Sequence, residues 1–485
     1  MITRRQSLKS LAMAPLALVS SKFGLATGVA ADWAAGDQAS SAANKPAAGH
    51  APPNIVFIMA DDLGYADVSC YGRREYVTPN IDKLAKQGVK FMQAYANSAV
   101  CTATRVALIT GRYQYRLPVG LEEPLASPAR NIGLPPSHPT MPSLLKQAGY
   151  GTTLVGKWHL GWLPDFSPLK SGYGHFYGFR GGALDYFTHK QGIANTDTDD
   201  LWDQDTLVHT HGYLTELLGD RAVSVIDDYA KAKQPFLLSL HFNAPHWPWE
   251  GPDDEAESRR VSALVDYDGG DLATYGRMVV AMDKQIGRVL EALDKNRLAE
   301  NTIVVFTSDN GGERFSDTWP FTGKKMELLE GGLRIPAIAR WPGHIKPGTT
   351  TEQVAISMDW VPTMLEASGG KADPAYPLDG MSLLANMTGK AAPVPRKLFW
   401  RFHANGQMAA RDGDLKWLKI RENDFLFNVV ADPLERAQLK VRQAADYMRI
   451  VAEYKAWDAT MLPIDPNANT GFIKGSFRAD HYGVD

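Results

Sequence analysis

Cysteine is nearly absent from this 485-residue chain: Cys70 and Cys101 are the only two. At most one disulfide, Cys70–Cys101, is available, and one bridge adds little to a core of the size such a chain can bury. Blocks of basic residues are absent as well. Lys and Arg number 51 against 54 Asp and Glu, a formal net charge of -3. The first 30 residues carry Arg4, Arg5, Lys9 and Lys22 and no acid, so without those four the balance is 47 basic to 54 acidic, a net of -7. A mildly acidic chain with no basic stripe is excluded as a binder of nucleic acid through phosphate contacts. An anionic substrate would have to be drawn by a local cationic pocket or a metal, not by the global field. No segment after the N-terminus is long and apolar enough for a stable membrane span, and there is no internal repeat.

What is present begins with "MITRRQSLKSLAMAPLALVSS". Paired arginines precede an apolar run too short to span a bilayer, and Gly28-Val29-Ala30 follows as a candidate cleavage site. Residues 1–30 resemble a twin-arginine signal peptide, which implies the twin-arginine export machinery as a partner. The alternative is an ordinary secretory signal with two incidental arginines, and either reading makes the mature protein periplasmic or secreted. Residues 31–52 are rich in Ala, Ser and Gly and read as a flexible linker.

From residue 54 short apolar runs alternate with amphipathic helical stretches, the pattern of an α/β fold with a mostly parallel central sheet. Apolar residues at three- and four-residue spacing predict a helix from about Leu272 to Leu293. Four predicted strands each end in chemistry-bearing residues. "NIVFIMA" leads to Asp61-Asp62, "TTLV" to Lys157 and His159, "PFLLSLHF" to His246, and "TIVVFT" to Asp309-Asn310. Ligands of open parallel sheets sit beyond the carboxyl ends of the strands, so these four clusters describe one site. The domains expected are a catalytic domain over 53–390 and a C-terminal subdomain over 391–485. In the latter, "LFWRFHANGQMAARDGDLKWLKI" alternates in strand fashion and predicts a small antiparallel sheet.

Asp61, Asp62, Asp309 and Asn310 are hard oxygen donors, and carboxylates crowded at one edge repel unless a cation sits among them. Such ligation suits Ca²⁺ or Mg²⁺ better than Zn²⁺; alternatively Asp61 and Asp62 cap a helix. Lys157, His159 and His246 add positive charge and proton-transfer capacity, as does one of Lys324 and Lys325 in "FTGKKMELLEGGLRIP". Cys101 stands at the predicted start of a helix with Arg105 one turn on, which predicts a depressed thiol pKa. Together these residues imply attack on a tetrahedral anion ester, phosphate or sulfate. A thiolate beside an oxygen-donor metal is nevertheless an unusual pairing.

"CTATR" followed by Thr110-Gly111-Arg112 resembles the signature of the sulfatase family. The resemblance extends through "DDLGYADVSCYG", "GKWHLG", "FNAPH", "SDNGG" and "EGGLRIPAIARWPG", over roughly residues 53 to 460. It implies an alkaline-phosphatase-like α/β sandwich with a smaller C-terminal α+β subdomain. In that family the cysteine is converted to Cα-formylglycine by a maturation enzyme, and the hydrated aldehyde replaces the thiol as nucleophile. Carried over, Asp61, Asp62, Asp309 and Asn310 would hold Ca²⁺, with residue 101 also facing the metal. Arg105 would hold the formylglycine and the sulfate. Lys157, His246 and Lys325 would bind sulfate oxygens, His246 or Lys325 would protonate the leaving alcohol, and His159 would act as the base. Lys325 is preferred over Lys324 for its distance from Glu330. The sequence departs from the family pattern at Ala103, where proline is commoner, and at Met326-Glu327.

"GGALDYFTH" resembles a pocket segment of galactosamine-sulfatase-like members and makes Asp185, Tyr186 and His189 candidates for substrate contact. Tyr186 and Phe187 have a core reading as well, and His403 is a further candidate at the pocket mouth. The expected substrate is a sulfated small molecule or glycan, an aryl or carbohydrate sulfate. Two rivals remain: a phosphonate or phosphate ester hydrolase of the same superfamily, and a non-catalytic glycan- or anion-binding homologue that keeps Cys101 as a thiol.

Overall fold

The computed structural model describes residues 51–126, 131–191, 198–260 and 270–470. The export signal, nearly all of the 31–52 linker and the tail beyond 470 lie outside the described residues.

A ten-stranded sheet organises the chain, in the order Thr349–Thr351, Val89–Phe91, Ala337–Arg340, Thr302–Ser308, Asn54–Ala60, Phe236–His241, Gly151–Lys157, His175–Phe179, Trp202–Asp203 and Thr206–Leu207. The five neighbours from Thr302–Ser308 to His175–Phe179 run parallel. Antiparallel strands flank them on both sides. The register aligns Ala60 with Ser308 and Met59 with His241, so the carboxyl ends of these strands finish level. Gly156 allows one of these pairings to close, because a Cβ there would lie 1.8 Å from the carbonyl oxygen of His241.

Both faces of the sheet are covered, and the period-two alternation of the strands shows how. Val56, Ile58 and Ala60 join one core with Val304 and Phe306, packed against the helices Pro79–Lys86, Leu214–Ala232 and Leu272–Lys295. Ile55, Phe57 and Met59 join the other with Ile303 and Val305, under the helices Cys101–Thr110, Met141–Gln147 and Trp360–Ser368. Runs apolar on every residue are what a strand buried on both faces requires. The helix predicted from Leu272 starts there, capped by Asp271 accepting from Thr274 N–H at 2.7 Å, and ends at Lys295.

The C-terminal segment forms an antiparallel meander of Lys397–Phe402, Gln407–Asp412, Leu415–Ile420 and Asn423–Asn428. One face packs Ala410, Trp417 and Leu426 on Ile450 and Tyr454 of the helix Ala444–Asp458. The other presses Leu398, Trp400, Ala409 and Leu418 onto Ala99, Ala103 and Ala107. A buried polar network crosses the same junction. Lys416 Nζ donates to Glu330 (3.0 Å) and lies 2.9 Å from Glu435, while Arg334 and Tyr95 donate to Glu330 at 2.7 and 2.6 Å.

Candidate active site

The helix Cys101–Thr110 is buried at every residue because it is sandwiched between the main sheet and the C-terminal meander. Its start is fixed by Thr104, whose hydroxyl accepts from Ser98 N–H (2.9 Å) and donates to Ser98 C=O (3.0 Å). Gly111 stops it in the left-handed region, where a Cβ would meet Val361 at 2.8 Å. Cys101 and Cys70 are both free, so the single possible disulfide is not formed. The expectation of an acidic thiol is overturned: burial pushes the Cys101 thiol up to about 11, with Asp61 and Asp309 adding to the rise and Lys157 and Lys325 opposing it.

Around residue 101 the strand ends bring three carboxylates and three cations together, all buried. Lys157 Nζ donates to Asp61 Oδ2 at 2.5 Å, and Lys325 Nζ donates to Asp62 Oδ2 at 2.6 Å. Arg105 donates through Nε and Nη2 to Asp309 Oδ2 at 3.1 and 2.9 Å. Asn310 Nδ2 donates to Asp62 Oδ1 at 2.8 Å, and Asp62 itself turns through the left-handed region with φ 61. Burial first, and the neighbouring Asp309 carboxylate second, hold Asp61 well above the usual carboxylate range. Lys325 is held well above its ordinary value because Asp62 and its acidic surroundings outweigh desolvation. Of the two adjacent lysines, Lys325 enters the site; the Lys324 N–H instead bonds Glu327 at 3.0 Å.

A hard divalent cation fits this donor set. Asp61 Oδ1 and Asn310 Oδ1 are buried with no hydrogen-bond partner, which is costly for carbonyl and carboxylate oxygens unless something positive meets them. One ligand atom from each of Asp61, Asp62, Cys101 and His246 lies within 4.8 Å of the others. Asp309 joins them through the Asp62 N–H, which donates to its Oδ1 at 3.2 Å. Three carboxylates drawn this close in a buried site are the arrangement a Ca²⁺-sized cation relieves.

Both histidines have a defined tautomer. His159 Nε2 lies 3.0 Å from the Leu125 carbonyl and must donate to it, leaving Nδ1 as a buried lone pair without a partner. His246 Nδ1 donates to the Trp247 carbonyl at 2.7 Å, so Nε2 is an acceptor, 3.3 Å from the Lys325 ammonium. Desolvation, reinforced by Lys157 for His159 and by Lys325 for His246, lowers both well below 6.5.

His159 is held by residues that sequence reasoning did not single out. The Thr102 hydroxyl accepts from Leu125 N–H (3.0 Å) and donates to His159 C=O (3.3 Å), so one backbone unit of Leu125 is clamped to both. The segment before Leu125 is tied in turn to the chain's C-terminal end. Glu123 N–H donates to Asn469 C=O (2.8 Å), Asn469 Nδ2 donates to Pro124 C=O (2.6 Å), and Glu123 Oε2 accepts from His403 N–H (2.7 Å). Burial pushes the Glu123 carboxyl up to about 8.

The remaining sequence candidates lie in supporting positions. Asp185 accepts from Phe187 N–H, Thr188 N–H and the Ser258 hydroxyl, which closes a loop. Tyr186, fully buried, donates its hydroxyl to the His246 carbonyl at 2.9 Å and so positions that histidine from behind. His189 Nε2 donates to Gly212 C=O at 3.1 Å. His403 meets Glu123, in the strap Glu122–Leu125, through its backbone N–H, while its Nδ1 is buried without a hydrogen-bond partner.

The sulfatase family model matches residues 53–370. N-acetylgalactosamine-6-sulfatase of Rattus norvegicus is 33% identical over 389 residues, covering 75% of this chain and 71% of the relative. Arylsulfatase J of Mus musculus is 28% identical over 487 residues, covering 87% and 79%. Among solved structures, that of Ps i-CgsB in complex with k-i-k-neocarrahexaose superposes with a TM-score of 0.78 at 30% identity, covering 89% of this chain and 98% of that one. The fold and site therefore define a sulfuric ester hydrolase. The chain belongs to the sulfatase family.

Proposed function

We propose that this protein removes sulfate from a carbohydrate sulfate monoester, with Cys101 converted to Cα-formylglycine and Ca²⁺ held by Asp61, Asp62, Asp309 and Asn310. The observation that carries the reading is the buried group of three carboxylates and three cations around residue 101. The carbohydrate class rests on two relatives, one named for N-acetylgalactosamine and one holding a carrahexaose. Ca²⁺ would supply charge stabilisation at the sulfuryl oxygens, and the hydrated formylglycine an oxygen nucleophile.

The chain's own residues would do the rest. Lys157 and Lys325 offer ammonium groups to the sulfate oxygens, and Arg105 orients Asp309 while adding positive charge. His159 Nδ1, the lone pair left free by the bond to Leu125, accepts a proton from the hydroxyl carried by residue 101. Lys325 is the donor to the leaving alcohol, because His246 Nε2 carries no proton to give. A twin-arginine signal, export to the periplasm or beyond, and a formylglycine-generating maturation enzyme complete the proposal.

The test is the mass of the peptide containing residue 101 from natively produced protein, together with rates on p-nitrophenyl sulfate and p-nitrophenyl phosphate. An aldehyde in place of the thiol and faster sulfate turnover are expected. An unmodified cysteine would falsify the nucleophile, and faster phosphate turnover would replace the substrate class with a phosphoryl ester.

A further inference from the structure

A cleft of about 880 Å³ shares none of the catalytic side chains of the reaction centre. Its walls include Tyr71, Phe321 and the indole of Trp319, with Arg74, Lys90 and Glu352 at its polar margin. The volume falls within the roughly 300–1,000 Å³ of small-ligand sites. Strand register fixes where it lies. Phe91 pairs with Ala337, and Ala337 pairs with Thr307, so the chain leaving Phe91 into the cleft emerges at the sheet edge that carries Asp309. Two chain segments line both places. Residues 61–65 run from the metal-site acids to the cleft residue Tyr65, and residues 309–325 run from Asp309 past Trp319 and Phe321 to Lys325.

Trp319 is the unusual feature. It is 67% exposed, yet the backbone that presents it is pinned. Asp67 accepts from Asp317 N–H (2.8 Å), the Ser316 hydroxyl (2.5 Å), Gly64 N–H (2.7 Å) and the Tyr275 hydroxyl (2.6 Å), and Asp317 Oδ1 accepts from Trp319 N–H (2.9 Å). A solvent-facing indole on a pinned backbone leaves only its own side-chain torsions to be ordered when a ligand arrives. Lys90 is drawn across the Tyr71 ring, 5.2 Å from its centroid, and donates to Cys70 C=O at 2.8 Å. Cations and acids alternate around the margin: Arg74 and Lys90 against Glu75 and Glu352, the last of which accepts from Gln93 at 2.9 Å. Balanced charge of this kind disfavours a polyanion or a lipid surface. Arg334 lies over the Phe321 ring, 4.6 Å from its centroid, as Lys90 lies over Tyr71, so Trp319 is the exposed aromatic face. An indole bordered by both donors and acceptors suits the apolar CH face and hydroxyl rim of a sugar ring.

We propose that the Trp319–Tyr71 cleft is a saccharide subsite that holds an unsulfated or sparsely sulfated unit of a longer glycan whose sulfated unit occupies the reaction centre. The inference rests on the carbohydrate reading above and extends it from a sulfated sugar to a chain. The test compares the mature full-length enzyme with Trp319→Ala, and with Lys90→Gln as a second variant. The substrates are p-nitrophenyl sulfate and a sulfated carrageenan hexasaccharide. Tryptophan fluorescence is titrated in parallel with the desulfated hexasaccharide.

Trp319→Ala should lower kcat/KM on the hexasaccharide at least fivefold relative to its value on the aryl sulfate, mainly through KM. The desulfated hexasaccharide should change the fluorescence of the wild type and not of this variant. An unchanged ratio of the two kcat/KM values, or absence of a fluorescence response in the wild type, overturns the subsite. A wild type inactive on both the aryl sulfate and the sulfated hexasaccharide refutes the sulfatase reading itself, and the fluorescence titration still decides the cleft.

Discussion

Replacing Lys416 by Met tests the junction that presents the active-site helix to the C-terminal sheet. The ammonium lies 3.0 Å from Glu330 and 2.9 Å from Glu435, and none of the three side chains is exposed. In the variant Glu330 keeps Arg334 and Tyr95, but Glu435 keeps as acceptor only the Glu330 N–H at 2.7 Å. Removing one partner of a buried ion pair costs about 3–5 kcal/mol. At roughly 2.1 cal/mol/K of unfolding entropy per residue, the described chain amounts to about 0.8 kcal/mol/K, so Tm should fall by about 4–6 °C at pH 8. The sign of the pH dependence is fixed. Burial, with the Glu330 charge adding to it, already raises Glu435 from 4.5 to about 7, and losing Lys416 raises it further. An acid whose folded pKa is raised favours the fold below its unfolded value and loses that contribution as pH rises through the folded value. The deficit of Lys416→Met should therefore be smaller at pH 5.5 than at pH 8, read by differential scanning calorimetry at matched scan rates. A Tm unchanged at pH 8, or a larger deficit at pH 5.5, would refute the reasoning.

Two other perturbations address the site. Thr102→Val removes both hydrogen bonds that clamp Leu125 to His159. It should lower kcat about tenfold while leaving KM within about twofold, with Thr102→Ser restoring most of the rate; equal activities of the Val and Ser variants in steady-state assays would rule out a positioning role. Chelation followed by Ca²⁺ addition should lower and then restore Tm, by about 2.7 kcal/mol of linkage at a hundredfold excess over Kd. In Asp61→Asn the Ca²⁺-dependent shift should shrink, and a full shift in that variant would remove Asp61 from the cation site.

The parts of this molecule legible in the sequence are those where local pattern and tertiary need coincide. Strands buried on both faces must be apolar throughout, so "NIVFIMA" and "TIVVFT" stood out, and parallel pairing with level carboxyl ends made Asp61, Lys157 and Asp309 neighbours. The thiol pKa failed because a local argument met a larger tertiary term. A helix N-terminus is worth about 0.3–1 kcal/mol, below one pKa unit, whereas full burial shifts a group by several. The strap at Glu122–Leu125 was invisible for another reason: its partners, Asn469 and His403, lie hundreds of residues away and carry no periodic or compositional signal. Ala103 joins the two cases. It departs from the family's signature, and in the fold it is fully buried in the cluster that holds Leu398, Trp400 and Leu418 of the C-terminal sheet. A small side chain there lets the helix carrying residue 101 approach that sheet closely. Packing alone is therefore a sufficient reason for alanine at this position.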